Sequence, residues 1–285
     1  MAKDESLWTH KPSEALRYRS GDRVSDIDTD SSPGVRAKRE AAEQIIAERS
    51  AHFAELQEML YANGREGDNR SVLLVLQGMD TAGKGGIVTH VVAAGNPMGI
   101  DYHSFGKPTP EERSHHFLWR INKALPPAGH IGVFDRSHYE DVLVVRVHEL
   151  APRAELDGRY DEINTFESEL IDAGTSIVKV AMFVSLEEQK ARLTERLQRP
   201  DKFWKYNPGD IDERKLWPKY QEAYEVMLER TSTAEAPWYI VPCDKKWYAR
   251  LAVTELLIEA LTEMNLSWPE PDFDLEAERK RVAEL

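Results

Sequence analysis

An apolar run that ends in a glycine-rich loop restricts this chain more than any other feature. Val72 to Gln77, VLLVLQ, leads directly into Gly78-Met79-Asp80-Thr81-Ala82-Gly83-Lys84, with Gly85 and Gly86 after it. A short uninterrupted apolar run of this kind reads as a strand covered on both faces. The loop has the spacing of a phosphate-binding loop, and a helical pattern from about Lys84 to Ala94 begins within it. Strand, loop and helix in this order turn backbone N–H groups inward as a nest for phosphate oxygens, and Lys84 can reach a terminal phosphate. Gly85 departs from the usual pattern, which has Ser or Thr there to hold magnesium.

Four more short apolar segments follow: IDYHSF, HIGVFD, SIVKVAMFV and PWYIVPC, separated by helical patterns. Strands alternating with helices predict an α/β fold. We expect a five-stranded, mostly parallel sheet with helices on both faces and a ligand at the carboxyl ends of the strands. Arg36 to Ala62 has near-helical apolar spacing and is expected to form an amphipathic packing helix. Before it, residues 1–36 are polar and rich in turn formers, so they read as a loop-rich leader to a single domain over 37–285. With 285 residues, 41% of them hydrophobic, one sizeable core accounts for the length. There is no internal repeat.

A single cysteine, Cys243, cannot form an internal disulfide, and MAKDESLWTH lacks a signal pattern, so the cytoplasm is the expected compartment. No apolar run approaches the roughly 20 residues of a membrane span. The formal charge of −13 argues against a nucleic-acid partner. A polyanionic ligand would then require a local concentration of Arg and Lys.

Asp135, at the end of HIGVFD, falls at the same sheet edge as Lys84 and reads as a Walker B carboxylate. Asp80 could supply a second carboxylate to compensate for Gly85, since magnesium commonly takes one or two carboxylates plus waters and phosphates. The structural alternative for Asp135 is a helix N-cap. Arg136 would project from the same strand end toward the phosphates, or form a minor surface ion pair. In KARLTERLQRPDKFWKYNPGDIDERK, Arg192, Arg196 and Arg199 recur at helical spacing, with Lys202 and Lys205 beyond Pro200. This reads as a cationic lid around 192–215, or as a solvated helix with Glu188–Arg192 and Glu195–Arg199 pairs. Arg113 and Arg120, seven apart on an expected helix, either line a polyanion path or solvate that helix. His115 and His116 lack zinc-pair spacing. The C-terminal PEPDFDLEAERKRVAEL reads as a helix that packs on the domain or mediates assembly.

Taken in order, GMDTAGKGG, KPTPEERSHHFLWR, FDRSHYEDVLVVRVH and RLQRPDKFWK resemble the polyphosphate kinase 2 family over about Val72 to Arg250. The resemblance implies a fold similar to thymidylate and adenylate kinases with a mobile lid. It also implies phosphoryl transfer between inorganic polyphosphate and a nucleotide, dependent on magnesium or manganese. Carried onto matching positions, its essential residues are Asp80, Lys84, Asp135, Arg136, Arg192, Arg196 and Arg199. The loop residues Gly78, Met79, Thr81, Ala82, Gly83, Gly85 and Gly86, together with Arg113, Arg120 and Lys202, are the expected ligand contacts, and Gly85 fits the family. Glu140, just past the Walker B stretch, resembles the single-domain group that accepts both AMP and ADP. A dimer or tetramer is the implied assembly. The main alternative is a nucleoside monophosphate kinase with ATP as donor. A GTPase is disfavoured because CDKKW lacks the order of Asn-Lys-x-Asp.

Overall fold

The computed structural model describes residues 7–36 and 39–285. The first six residues of the leader, and residues 37–38 at the expected start of the first long helix, lie outside these. Five strands form one fully parallel sheet: β1 (Ser71–Gly78), β2 (Ile100–Ser104), β3 (Ile131–Asp135), β4 (Thr175–Phe183) and β5 (Trp238–Pro242). All five coincide with the apolar segments of the sequence. Their order is β2-β3-β1-β4-β5, which puts β1 at the centre. The direction of winding reverses around β1, so the loop leaving it opens into the crevice where such sheets bind ligands.

The helices are α1 (Pro12–Leu16), α2 (Arg39–Arg65), α3 (Lys84–His90), α4 (Pro110–Arg113), α5 (Trp119–Asn122) and α6 (Glu140–Val147). They continue with α7 (Arg153–Asp172), α8 (Leu186–Gln198), α9 (Gly209–Lys215), α10 (Trp217–Thr231), α11 (Lys246–Glu263) and α12 (Leu275–Ala283). Alternate residues of β1 divide between two cores. Val72, Leu74 and Leu76 face α2, α3 and α11, while Leu73 and Val75 face α6, α7 and α10. All five are fully buried. At roughly 1.5–3 kcal/mol per buried aliphatic side chain, this strand is a firmly held platform for the loop.

Register then sets the edge of the sheet. Leu76 pairs with Asp135 and Gly78 with Met182, so the ends of β1, β3 and β4 lie side by side. The described part of the leader packs on the domain: the Tyr18 amide donates to the Trp238 carbonyl at 2.8 Å, and the Tyr248 hydroxyl donates to the Pro33 carbonyl at 2.7 Å.

Two local expectations differ from the structure, and of the two roles offered for the C-terminal helix, packing on the domain is not seen. The helix after the loop stops at His90 and gives way to a 3₁₀ turn at Val92–Ala94. The segment holding Arg113 and Arg120 is two one-turn helices, α4 and α5, and not one helix. The C-terminal α12 buries none of its residues. Among the described residues, no helix is long and apolar enough to cross a membrane.

Candidate functional site

The loop between β1 and α3 depends on glycine at two points. A Cβ on Gly78 would meet the Met182 carbonyl oxygen at 2.7 Å, so close contact with β4 needs its absence. Gly83 caps α3 at φ +118°, a conformation that side chains resist. Thr81 is also left-handed, at φ +67°, which is strained for a β-branched residue. Its hydroxyl is buried and has no hydrogen-bond partner in the structure.

Arg192 holds this shape from behind. Its Nη1 donates to the carbonyls of Thr81 (2.8 Å) and Ala82 (3.1 Å), and its Nη2 to those of Cys243 (2.5 Å) and Asp244 (3.3 Å). Nε completes the set with Glu188 at 2.8 Å. Of the three arginines expected in the lid, Arg192 lines the groove and is also a buried clamp on the loop, its guanidinium shared among four backbone carbonyls. Arg196 donates to the Lys205 carbonyl and to Asp210, while Arg199, the C-cap of α8, pairs with Glu195 and Asp201. Both pairs foreseen for a solvated helix, Glu188–Arg192 and Glu195–Arg199, are formed.

At the front, Lys84 is buried and donates to the Gly78 carbonyl at 2.6 Å and the Met79 carbonyl at 3.4 Å. Asp80 accepts from Arg136 Nη2 at 2.6 Å. Arg136 is itself left-handed, at φ +63°, and its amide donates to the Leu76 carbonyl at 3.0 Å. Burial works against its charge, but Glu140, Asp80 and Asp135 outweigh that and keep the guanidinium firmly protonated. Asp135 is not a helix N-cap, since α6 starts at Glu140 behind Tyr139. Its Oδ2 is 3.4 Å from the Tyr102 hydroxyl. Glu140 accepts from Gln77 Nε2 at 3.1 Å. Burial raises its carboxyl above the ordinary range, and Arg136 and Lys84 partly counter this.

Two cavities meet at the loop. One is a cleft of about 750 Å³ whose lining includes Asp80, Arg113, Arg120, Arg136, Glu140 and Tyr224. Arg113 and Arg120 thus share a cavity although they do not share a helix. Arg120 is braced by the Gly106 carbonyl, Asp141 and the Phe105 ring, whereas Arg113 donates to the Pro108 carbonyl. The other is a groove of about 250 Å³ on the α3 side, where Thr81, Ala82, Gly83, Gly85 and Gly86 face Arg196, Lys202, Lys205, Lys246 and Arg250. A Cβ at Gly85 or Gly86 would meet nothing within 4 Å. Electrostatics agree with the lining: burial, then the charges of Arg250 and Lys202, hold the His90 imidazole below its ordinary value. An acidic chain thus lines one groove beside the loop with several cations, with Glu195 set among them, in line with the local concentration a polyanionic ligand requires.

Sequence reasoning missed Lys107 and Tyr224 in the cleft, and Lys246 and Arg250 in the groove. It also missed Gln189, whose Nε2 donates to the Asp80 carbonyl at 3.1 Å while its Oε1 accepts from Arg214. These residues come from segments far apart in sequence, and no local pattern links them.

Comparison with known proteins agrees with this geometry. The "AMP/ADP-polyphosphate phosphotransferase" of Meiothermus ruber is 42% identical over 246 residues, 86% of this chain and 91% of that protein. The "ADP-polyphosphate phosphotransferase" of Rhodopseudomonas palustris is 40% identical over 81% of this chain and 83% of that one. The crystal structure of Polyphosphate Kinase 2 from Arthrobacter aurescens TC1 superposes with a TM-score of 0.95 at 51% identity, covering 98% of both chains. The family model described as Polyphosphate kinase 2 (PPK2) matches residues 36–269, and the chain belongs to that family.

Proposed function

We propose that this polyphosphate kinase moves phosphoryl groups from inorganic polyphosphate to AMP and ADP, reversibly. The observation that carries the reading is the pair of cavities on either side of one phosphate loop. A cleft of about 750 Å³ lies in the size range of small-molecule sites and combines arginines with aromatic walls, as a nucleotide needs. The narrower groove sets cations beside the glycine-rich loop, as a polyphosphate chain needs. The names of the Meiothermus ruber and Rhodopseudomonas palustris relatives support these two acceptors.

Phosphoryl transfer passes through a loose transition state, so positioning and charge neutralisation dominate. Lys84 exchanges its loop carbonyls for phosphate oxygens. Arg136 lines the cleft beside the loop residue Asp80 and neutralises the group in transit, while its bond to Asp80 fixes its direction. Arg192 keeps the loop amides turned toward the ligand. Arg196, Lys202 and Lys246 hold the polyphosphate, and Arg113 and Arg120 border the acceptor phosphates. Glu140 bears on the choice between AMP and ADP.

The donor set fits magnesium. Asp80 and Asp135 each engage one carboxylate oxygen, and among the described residues the other accepts no hydrogen bond. Two carboxylates with waters and substrate phosphates are chemically sufficient, although no cluster of three metal-ligating side chains exists among the described residues. Bound there, magnesium would neutralise charge on the transferring oxygens. The exposed Trp268, Phe273 and Val282 around α12 support a homo-oligomer.

The test is nucleotide chromatography after incubating the protein and magnesium with polyphosphate plus AMP, and separately plus ADP, with ATP plus AMP as control. ADP followed by ATP from AMP is expected. Product only in the control would mean an ordinary monophosphate kinase.

A further inference from the structure

Lys179 is out of place by pattern. It lies in the middle of β4, between Val178 and Val180, and is completely buried. All three of its ammonium hydrogens are used: Glu167 Oε2 accepts at 2.5 Å, the Thr231 carbonyl at 2.7 Å and the Tyr139 hydroxyl at 3.0 Å. Glu167, on α7, is equally enclosed, and its Oε1 accepts from the Tyr139 hydroxyl at 2.7 Å with His138 Nε2 at 3.2 Å. The result is a buried network of Lys179, Glu167, Tyr139 and His138, with His138 Nδ1 buried and without a hydrogen-bond partner among the described residues.

Such a network is a poor device for stability alone. Two charges removed from water recover their desolvation cost only with good geometry, and apolar residues of similar volume often serve as well or better. Its location suggests another use. His138 and Tyr139 belong to the turn that starts at Asp135 and carries the left-handed Arg136. The N-cap residue of α6, Tyr139, makes no side-chain cap bond, and within the turn its amide donates to Ser137 Oγ at 3.2 Å. Ser137, His138 and Tyr139 are fully buried, and the two aromatic side chains reach from the turn into the network. Arg136 is therefore held between two anchors, its amide on β1 and the next residues but one on a buried ion pair.

We infer that the Lys179–Glu167–Tyr139–His138 network is a positioning device that keeps the Arg136 turn in its strained, site-directed form. Lys179 and Glu167 touch no cavity at the loop and act through Arg136. The inference rests on the proposed role of Arg136 in phosphoryl transfer.

The test is a cycle between Arg136→Ala and the paired substitution Lys179→Met with Glu167→Gln, followed by kcat at saturating polyphosphate and nucleotide and by thermal melting. The paired variant is expected to melt no lower than the parent and to lose about 10-fold or more in kcat, more than either KM changes. In the Arg136→Ala background the same pair is expected to cost nothing further, whereas a merely structural role would cost the same in both backgrounds. Should the paired variant not fold, Tyr139→Phe decides: it removes one hydroxyl from the network and is expected to lower kcat several-fold only while Arg136 is present. Parental kcat in these variants, with a slow Arg136→Ala enzyme, would overturn the inference. A parental rate for Arg136→Ala itself would instead overturn the role assigned to Arg136.

Discussion

Arg136 Nη2 and Asp80 Oδ1, 2.6 Å apart, join the turn after β3 to the loop after β1. The strand ends are already adjacent through the register, so this ion pair sets direction more than distance. Because both side chains are partly exposed, it adds little to stability. Arg136→Ala should lower kcat by about 100- to 1,000-fold, as for removal of a charge-stabilising donor, with the melting temperature nearly unchanged. A cycle with Asp80→Asn should show that the two losses do not add. Strictly additive losses would mean that the pair does not act as a unit.

Arg192 answers a different question, that of loop integrity. Its removal orphans several buried carbonyls, each costing about 1–3 kcal/mol. Arg192→Met should therefore destabilise the fold by on the order of 3 kcal/mol, visible as an earlier denaturant midpoint. An arginine acting only on ligand, as a lid arginine would, leaves that midpoint unchanged.

The groove cations should act through charge. Lys202→Gln together with Lys246→Gln is expected to raise KM for polyphosphate about 10-fold or more and to flatten its dependence on ionic strength. KM for the nucleotide should hold steady, because the cleft lies across the loop. An unchanged polyphosphate KM would remove the groove from the binding path.

Glu140 connects acceptor choice to pH. Burial raises its carboxyl in the folded chain, and unfolding restores the ordinary value. Between those values the folded state holds the extra proton, so this group's contribution to stability falls as pH rises through that window. Above it a constant penalty remains. Glu140→Gln should accordingly melt higher than the parent at about pH 8, and the gain should shrink toward about pH 4. Its ratio of AMP to ADP turnover should also shift. A gain in melting temperature independent of pH would show that burial of the charge is not the cause.

How far the sequence could reveal this site follows from how each residue is held. β1 was legible because Val72 to Leu76 all enter cores, and the loop because its spacing is local. Asp135 and Lys84 could be matched because parallel strands bring successive strand ends to one edge. Arg192 could not be read correctly: helical spacing is the same for a solvated arginine and for a buried clamp, and its acceptors lie more than fifty residues away at Cys243 and about 110 away at Ala82 and Thr81. The Arg113–Arg120 segment misled for a related reason. Thr109 and Glu112 form a capping box that starts a helix, but one turn later the chain leaves it. His116 then engages Glu162, and Arg120 reaches back to the Gly106 carbonyl. Lys246 and Arg250 join the groove only because β5 lies beside β4.

The central claim is that this loop grips phosphate during transfer from polyphosphate to a nucleotide. Its most direct test is the appearance of label in nucleotide after mixing radiolabelled polyphosphate, magnesium and AMP with the parent protein and with Lys84→Ala. Label should pass from polyphosphate into ADP and then ATP with the parent, and the variant should be slower by about 100- to 1,000-fold while still folded. Equal labelling by a folded Lys84→Ala protein, or no labelling by the parent, would contradict it.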